Sequence, residues 1–442
     1  MDRQEFARQI VTIAERHGCA AAETFSAYGK SFEATALHGE IDRYSVSRAE
    51  GIGIRVQWNG CDGYAYTECL EQPEQLVLRA MDNAACLTPE EHPMQTAQQY
   101  RMAEPEKSPL LRCGEQEKLE LALQLEKLTL AADPRVEKVI ACGVETSYGG
   151  IVICNTCGLD AKREKQYACI YTEPAVRSGD EVQTGFAFRM GAEAMDLAGC
   201  ATEAVADALS RLGSEPVASG AYRVILKNTV MAELTRAFSG MFSAQEAQHG
   251  RSLLIGKEGT QIAAQTVTLT DDPFDPVSPR AFDGEGTPCQ TKALIERGTF
   301  KTFLHNLKTA RKAGTVSTGN GMRASAAATV GVGPAVLRLE KGADSLDELL
   351  KKMDDGLLIT DLQGMHAGVD PVSGDFSLKA TGRRIHDGRD AGAVGRITVA
   401  GNFLRLLTQV EAVGNDLKYA LPSGCFAGSP SVLIQSVEVA GK

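Results

Sequence analysis

Asn59-Gly60 lies between two runs rich in β-branched and aromatic residues, GIGIRVQW from Gly51 and CDGYAYTE from Cys61. Both turn residues tolerate positive φ, which the tight loop of a two-residue hairpin demands. The pair therefore commits this region to antiparallel sheet. Upstream, ETFSAY from Glu23 and SFEATAL from Ser31 read as two more short strands, and Phe6, Ile10 and Ile13 share one face of a first helix. Downstream, Pro73 opens a helix with Leu76, Val77, Ala80 and Ala84 at helical spacing.

The stretch from Thr88 to Pro109 is rich in Pro, Glu and Gln and has no periodicity, as a linker would. Beyond it come a helix near Glu115 to Ala131, a meander of four strand-like runs (VEKVIACGVE, GGIVICNTCGLDAKR, QYACIYTE, VQTGFAFRM) and a helix over roughly Asp196 to Leu212 that Gly213 can stop. From Tyr222 onward strands and Gly-rich turns dominate. The clearest helices there are Thr229 to Met241 and Leu346 to Met353, the second opened by Ser345 with Glu348 three residues on, a capping box. A chain of 442 residues exceeds one ordinary core. The expected organisation is 1–105, an N-terminal α+β domain; 110–218, a middle α+β domain; and 219–442, a β-rich C-terminal domain. The expected class is α+β, with N-terminal α/β sandwich-like domains on antiparallel sheets.

Composition excludes several partners. No apolar run approaches the ~18–20 residues of a membrane span, and the charged N-terminus does not read as a secretory signal, so the expected location is cytoplasmic. Twelve scattered cysteines without a crowded framework are expected to be reduced thiols. A net charge of −11 opposes direct nucleic-acid binding, which rests on Lys and Arg displacing counterions.

The chemical motifs are sparse. The seven histidines, His17, His38, His92, His249, His305, His366 and His386, never fall close enough to share a helical face. A helix-borne hydrolytic zinc needs two imidazoles about a turn apart with a carboxylate beside the first, so no metal cofactor is expected. Cys154-Asn155-Thr156-Cys157 has CxxC spacing but no partner half, and reads as a turn between strands. Gly51-Ile52-Gly53 lacks the third glycine and the following helix of a nucleotide loop. Neither a P-loop nor a GxSxG elbow occurs, which leaves only a lone nucleophile such as Cys289 or Cys425. Loop carboxylates are plentiful: Asp271, Asp272, Asp275, Asp283 and Glu285, with Asn320, His366, Asp370 and Asp375 farther on. Such residues can bind cations, and they also serve as turn residues capping their own backbone.

These segments also carry a family likeness. GEIDRYSVSRAEGIGIRV (39–56), NTCGL (155–159), FDGEGTPCQTKALIERGTFKTFLHNLKTARKAG (282–314), STGN (317–320), VDPVSGDFSLKATG (369–382) and VAGNFLRLLTQVEAVGNDL (399–417) resemble, in order, the PmbA/TldD family, which carries a DNA-gyrase-modulator label. In the TldD branch a helix bears HExxxH, whose histidines bind zinc with a later cysteine. Here the matching helix puts Thr235, Arg236 and Gly240 at those positions, with Cys425 as the counterpart of the third ligand. This is the pattern of the PmbA (TldE) branch, which resembles a partner of the zinc subunit.

The resemblance implies a non-catalytic subunit, homodimeric or paired with a TldD-like zinc subunit, that helps enclose an extended unfolded or leader-like peptide. Candidate cleft residues are Thr235, Arg236, Gly240, His249, His366, Asp370 and Cys425. The rival expectations are a homodimeric peptide- or protein-binding module without a catalytic partner, and a hydrolase using an unrecognised nucleophile. The acidic charge offers no duplex-binding face to support the gyrase label directly.

Overall fold

The structure is a computed structural model that describes residues 3–89 and 92–442. Its first half is organised by one sheet. Helix α1 (Arg3–Arg16) leads into β1 (Ala21–Leu37), β2 (Glu40–Trp58) and β3 (Cys61–Thr67), then α2 (Pro73–Ala84). After the linker come α3 (Glu115–Ala131), β4 (Val136–Asn155), β5 (Asp160–Ser178), β6 (Glu181–Thr184), β7 (Ala187–Met190) and α4 (Leu197–Ser210). The order is β3-β2-β1-β4-β5-β6, with β7 also on β5, so β1 and β4 join the segments on either side of the linker.

The hairpin is formed as the sequence requires: Trp58 faces Cys61 across Asn59 (φ 52°) and Gly60 (φ 77°). Where the sequence suggested several short strands, the structure has single long ones. ETFSAY and SFEATAL are one 17-residue strand; VEKVIACGVE and the first part of GGIVICNTCGLDAKR merge into the 20-residue β4, and the end of that run joins QYACIYTE in β5. The reason lies in the glycines. Gly149 and Gly150 of β4 stand opposite Gly29 and Tyr28; a Cβ on Gly149 would come within 2.2 Å of the Tyr28 carbonyl oxygen, and the Tyr28 ring covers Gly150. They are close-approach glycines inside a sheet rather than turns.

Alternation along β1 assigns its two faces. Ala22, Phe32, Ala34 and Ala36 pack under the helices, whereas Phe25 and Ala27 pack against Ala281, Phe282 and Ala326 of the C-terminal half. Gly53 is needed for that second contact, because a Cβ there would meet the Ala326 carbonyl oxygen at 2.0 Å.

Residues 92–108 have neither helix nor strand, as the linker reading required, but they are tied down along their length. Gln57 donates to the His92 carbonyl at 2.6 Å and Asn155 to that of Gln95 at 2.7 Å. On the other side Gln95 reaches Thr287, the Tyr100 hydroxyl donates to the Gly286 carbonyl at 2.8 Å, and the Tyr100 ring packs on Phe282. The segment is a strap between the N-terminal sheet and the C-terminal half.

The C-terminal half begins with β8 (Gly220–Leu226) and α5 (Asn228–Ala237), followed by β9 (Leu269–Asp271), β10 (Lys292–Glu296) and β11 (Thr299–Phe300). One six-stranded sheet runs β11-β10-β9, then Val336–Leu339, Phe426–Ser429 and Lys418–Tyr419. The other runs Arg389–Asn402, Asp375–His386, Gly356–Gln363, β8, Val432–Ala440 and Val410–Val413, and an extra pairing of Arg389–Asn402 with Val432–Ala440 closes five of these strands into a ring. The largest core lies here, with Val230, Met231 and Leu234 of α5 among Phe242, Phe376 and Phe403. The helix expected over Thr229 to Met241 is α-helical only to Ala237; Ser239-Gly240, weak helix formers, lie in a 3-10 turn over Ser239–Phe242. The Ser345/Glu348 capping box is present in full. No described helix is long and apolar enough to cross a membrane.

Candidate functional site

Helix α5 and the segment before strand Phe426–Ser429 meet face to face. Thr235 is buried, its hydroxyl donating to the Met231 carbonyl at 2.8 Å. Arg236 extends a long 3.5 Å contact to the Ser423 carbonyl, while its Nε is buried without an acceptor. Cys425 lies within hydrogen-bonding reach of Ser239 and within the fields of Arg236 and Arg280; burial nevertheless pushes its thiol up. Gly240 is exposed next door.

These donors do not suit zinc. A ligating thiol is deprotonated, which a raised pKa opposes, and an arginine beside it repels a cation. The Thr235 oxygen is already engaged, and among the described residues no three His, Cys, Asp or Glu side chains converge as a metal-holding group.

The remaining candidates lie apart. His249 is exposed, with Nδ1 3.1 Å from an Arg251 guanidinium nitrogen. His366 and Asp370 belong to the exposed loop before Asp375–His386, where Asp370 accepts the backbone N–H groups of Val372 and Ser373 and so shapes a turn. Cys289 is buried, its thiol donating to the Gly319 carbonyl and pushed by burial up to about 12. The two CxxC thiols diverge: Cys154 is buried against Asp160, whereas Cys157 is exposed in a turn whose N–H is accepted by Asn155.

The loop carboxylates are largely structural. Asp271 accepts from Ala335, Val336, Asn320 and Lys292, and Asp283 accepts the N–H groups of Glu285, Thr287 and Gly321 at 2.7–3.0 Å. Glu285 accepts from Leu307 at 2.8 Å. Burial raises both Asp283 and Glu285, and the charge of Asp283 raises Glu285 further. Above the ordinary glutamate range the folded chain thus keeps a proton that the unfolded chain has released, so this group's contribution to stability is lost as pH rises through the folded value. Glu285→Gln is therefore expected to gain stability relative to the parent between pH 5 and pH 8, measured by urea unfolding; an equal difference at both values would refute the assignment.

A cavity of about 640 Å³ opens between the middle segment and the C-terminal half. It is walled by the strap near Glu106, by β7 and α4, by α5, and by Lys418–Tyr419. Among its carboxylates Glu233 stands out, because burial and the negative charge of Asp361 push it up to about 7. Sequence reasoning passed over Glu233, although its signal was available: it is the only acid in a helix otherwise dominated by buried residues.

Fold and site together define an α+β protein of the metallopeptidase-homologue class. Residues 22–84 match PmbA/TldA metallopeptidase domain 1, 109–212 the central domain and 219–441 the C-terminal domain, and the chain belongs to the PmbA/TldD family. It is 32% identical to a Thermotoga maritima protein described as a candidate modulator of a DNA gyrase, over 99% of this chain and 100% of that one, with a TM-score of 0.92. TldE from Thermococcus kodakarensis is 26% identical over 99% and 100% of the two chains, with a TM-score of 0.91. Metalloprotease PmbA of Escherichia coli O157:H7 is 27% identical over 74% of this chain and 70% of its own length.

Proposed function

We propose that this chain is the non-catalytic, TldE-like half of a cytoplasmic zinc metallopeptidase acting on unfolded or leader-like peptides. The observation that carries the reading is the α5–Cys425 contact, where Thr235, Arg236 and Gly240 supply an engaged hydroxyl, a fixed positive charge and no side chain. Its role is then to hold peptide rather than to activate water. Two strand ends support this: β7 and Lys418–Tyr419 are each outermost in their sheets and both border the cavity, so an extended chain can pair with either by main-chain hydrogen bonds. A TldD-like subunit bearing HExxxH supplies the metal.

The test is elemental analysis of the purified chain together with a peptidase assay, alone and with such a subunit from the same cell. Less than stoichiometric zinc and cleavage only in the mixture are expected. Tightly held zinc at one per chain, or cleavage by the chain alone, would overturn the reading. Peptide binding by a homodimer with no zinc-bearing relative in the cell would favour a stand-alone binding module.

A further inference from the structure

Among the described residues most of the cavity's charges are paired, whereas Glu233, like Glu106, Glu193 and Lys227, has no ion pair. Arg211 holds Asp207 at 2.7 Å and Asp361 at 3.2 Å, Glu203 lies between Arg189 (2.8 Å) and Lys418 (3.1 Å), and Arg338 holds Asp275 at 3.0 Å. Glu233 has no cation within ion-pairing distance among the described residues, although it projects from α5 into the cavity one turn after Thr229. Arg236, on the same helix, tempers its charge only from a distance, and Asp361 adds to it. The cavity's mixed lining also offers apolar and aromatic surface from Phe186, Phe188, Leu417 and Tyr419. A half-buried carboxylate without a partner is unfavourable in the free protein, and a cation arriving from outside relieves it. The long aliphatic stem of a lysine or arginine suits that apolar surface while its head reaches the charge.

We propose that this cavity takes an extended peptide segment bearing a lysine or arginine side chain, whose cation sits against Glu233. This rests on the peptide-holding reading above and adds the chemistry of the residue selected.

The test uses the full chain and three fluorescent peptides, identical except for a central lysine, leucine or glutamate, with binding read by anisotropy at pH 8. A charge-assisted hydrogen bond to a desolvated carboxylate gives the lysine peptide about a tenfold or larger preference over the leucine peptide. Glu233→Gln is expected to shrink that preference to about twofold or less. The charge reversal Glu233→Lys is expected to turn it towards the glutamate peptide. Because Glu233→Gln removes a desolvated charge, the variant is expected to fold, which circular dichroism checks. Equal binding of the lysine and leucine peptides, or a preference that survives Glu233→Gln, refutes the inference and leaves peptide holding intact; no binding by any of the three refutes both.

Discussion

Replacing Glu23 by alanine is expected to lower the unfolding free energy by about 3–5 kcal/mol, the scale for breaking a buried ion pair and stranding its partner. Glu23 points from β1 towards the C-terminal half and is almost wholly buried. One of its oxygens bonds to Arg323, and the other lies 3.6 Å from Arg55. Arg55 in turn lies 3.6 Å from Asp62, which His92 of the strap contacts at 2.6 Å. Deleting the Glu23 carboxylate leaves Arg323 without its carboxylate partner and Arg55 with Asp62 alone, in a site that water scarcely reaches. Pairing Glu23→Ala with Arg323→Met removes one orphaned charge and is expected to recover part of the loss, a coupling that a double-mutant cycle measures. A single-mutant loss below about 1 kcal/mol, the range of an exposed pair, would mean that the network is solvated.

The second large effect concerns Phe238, at the junction of α5 and its 3-10 turn. Its ring is buried, stacked on Phe403 at 4.7 Å and edge-on to Phe376 at 6.3 Å. Phe238→Ala is expected to cost about 3–5 kcal/mol through lost transfer energy and the cavity left behind. Phe238→Leu, which keeps more of the volume, should cost less, about 1.5 kcal/mol. Because α5 carries Glu233, Arg236 and Thr235, the alanine variant should also lose peptide affinity, whereas the leucine variant should retain most of it. Chemical denaturation and the same anisotropy titration separate the two consequences.

Local chemistry carried much of the fold. The Asn59-Gly60 hairpin, helix Pro73–Ala84 and the Ser345/Glu348 capping box depend on residues within a few positions of one another, so their signals lie in short windows of sequence. Strand lengths were misjudged at Gly29 and Gly149-Gly150, because a glycine placed for close backbone approach is indistinguishable, in one chain, from a glycine placed for a turn. The meeting of α5 with Cys425 could be anticipated only through the family resemblance, since some 190 residues separate them and no periodicity links segments so far apart. The cavity was illegible for the same reason. Glu233, Asp361, Arg211 and Lys418 come from four elements, and each alone looks like an ordinary surface charge.

The strap has a consequence for the order in which the molecule matures. Gln95 and Tyr100 find their partners at Thr287 and Gly286, 192 and 186 positions later. During synthesis the N-terminal sheet can pair its strands, seat its helices and hold the strap's first residues early, yet Phe25 and the strap's contacts through Gln95 and Tyr100 must wait for the C-terminal residues to leave the ribosome. A nascent chain halted before that point therefore displays an apolar, charge-bearing sheet face with nothing to cover it, and that intermediate is the natural target for chaperone capture.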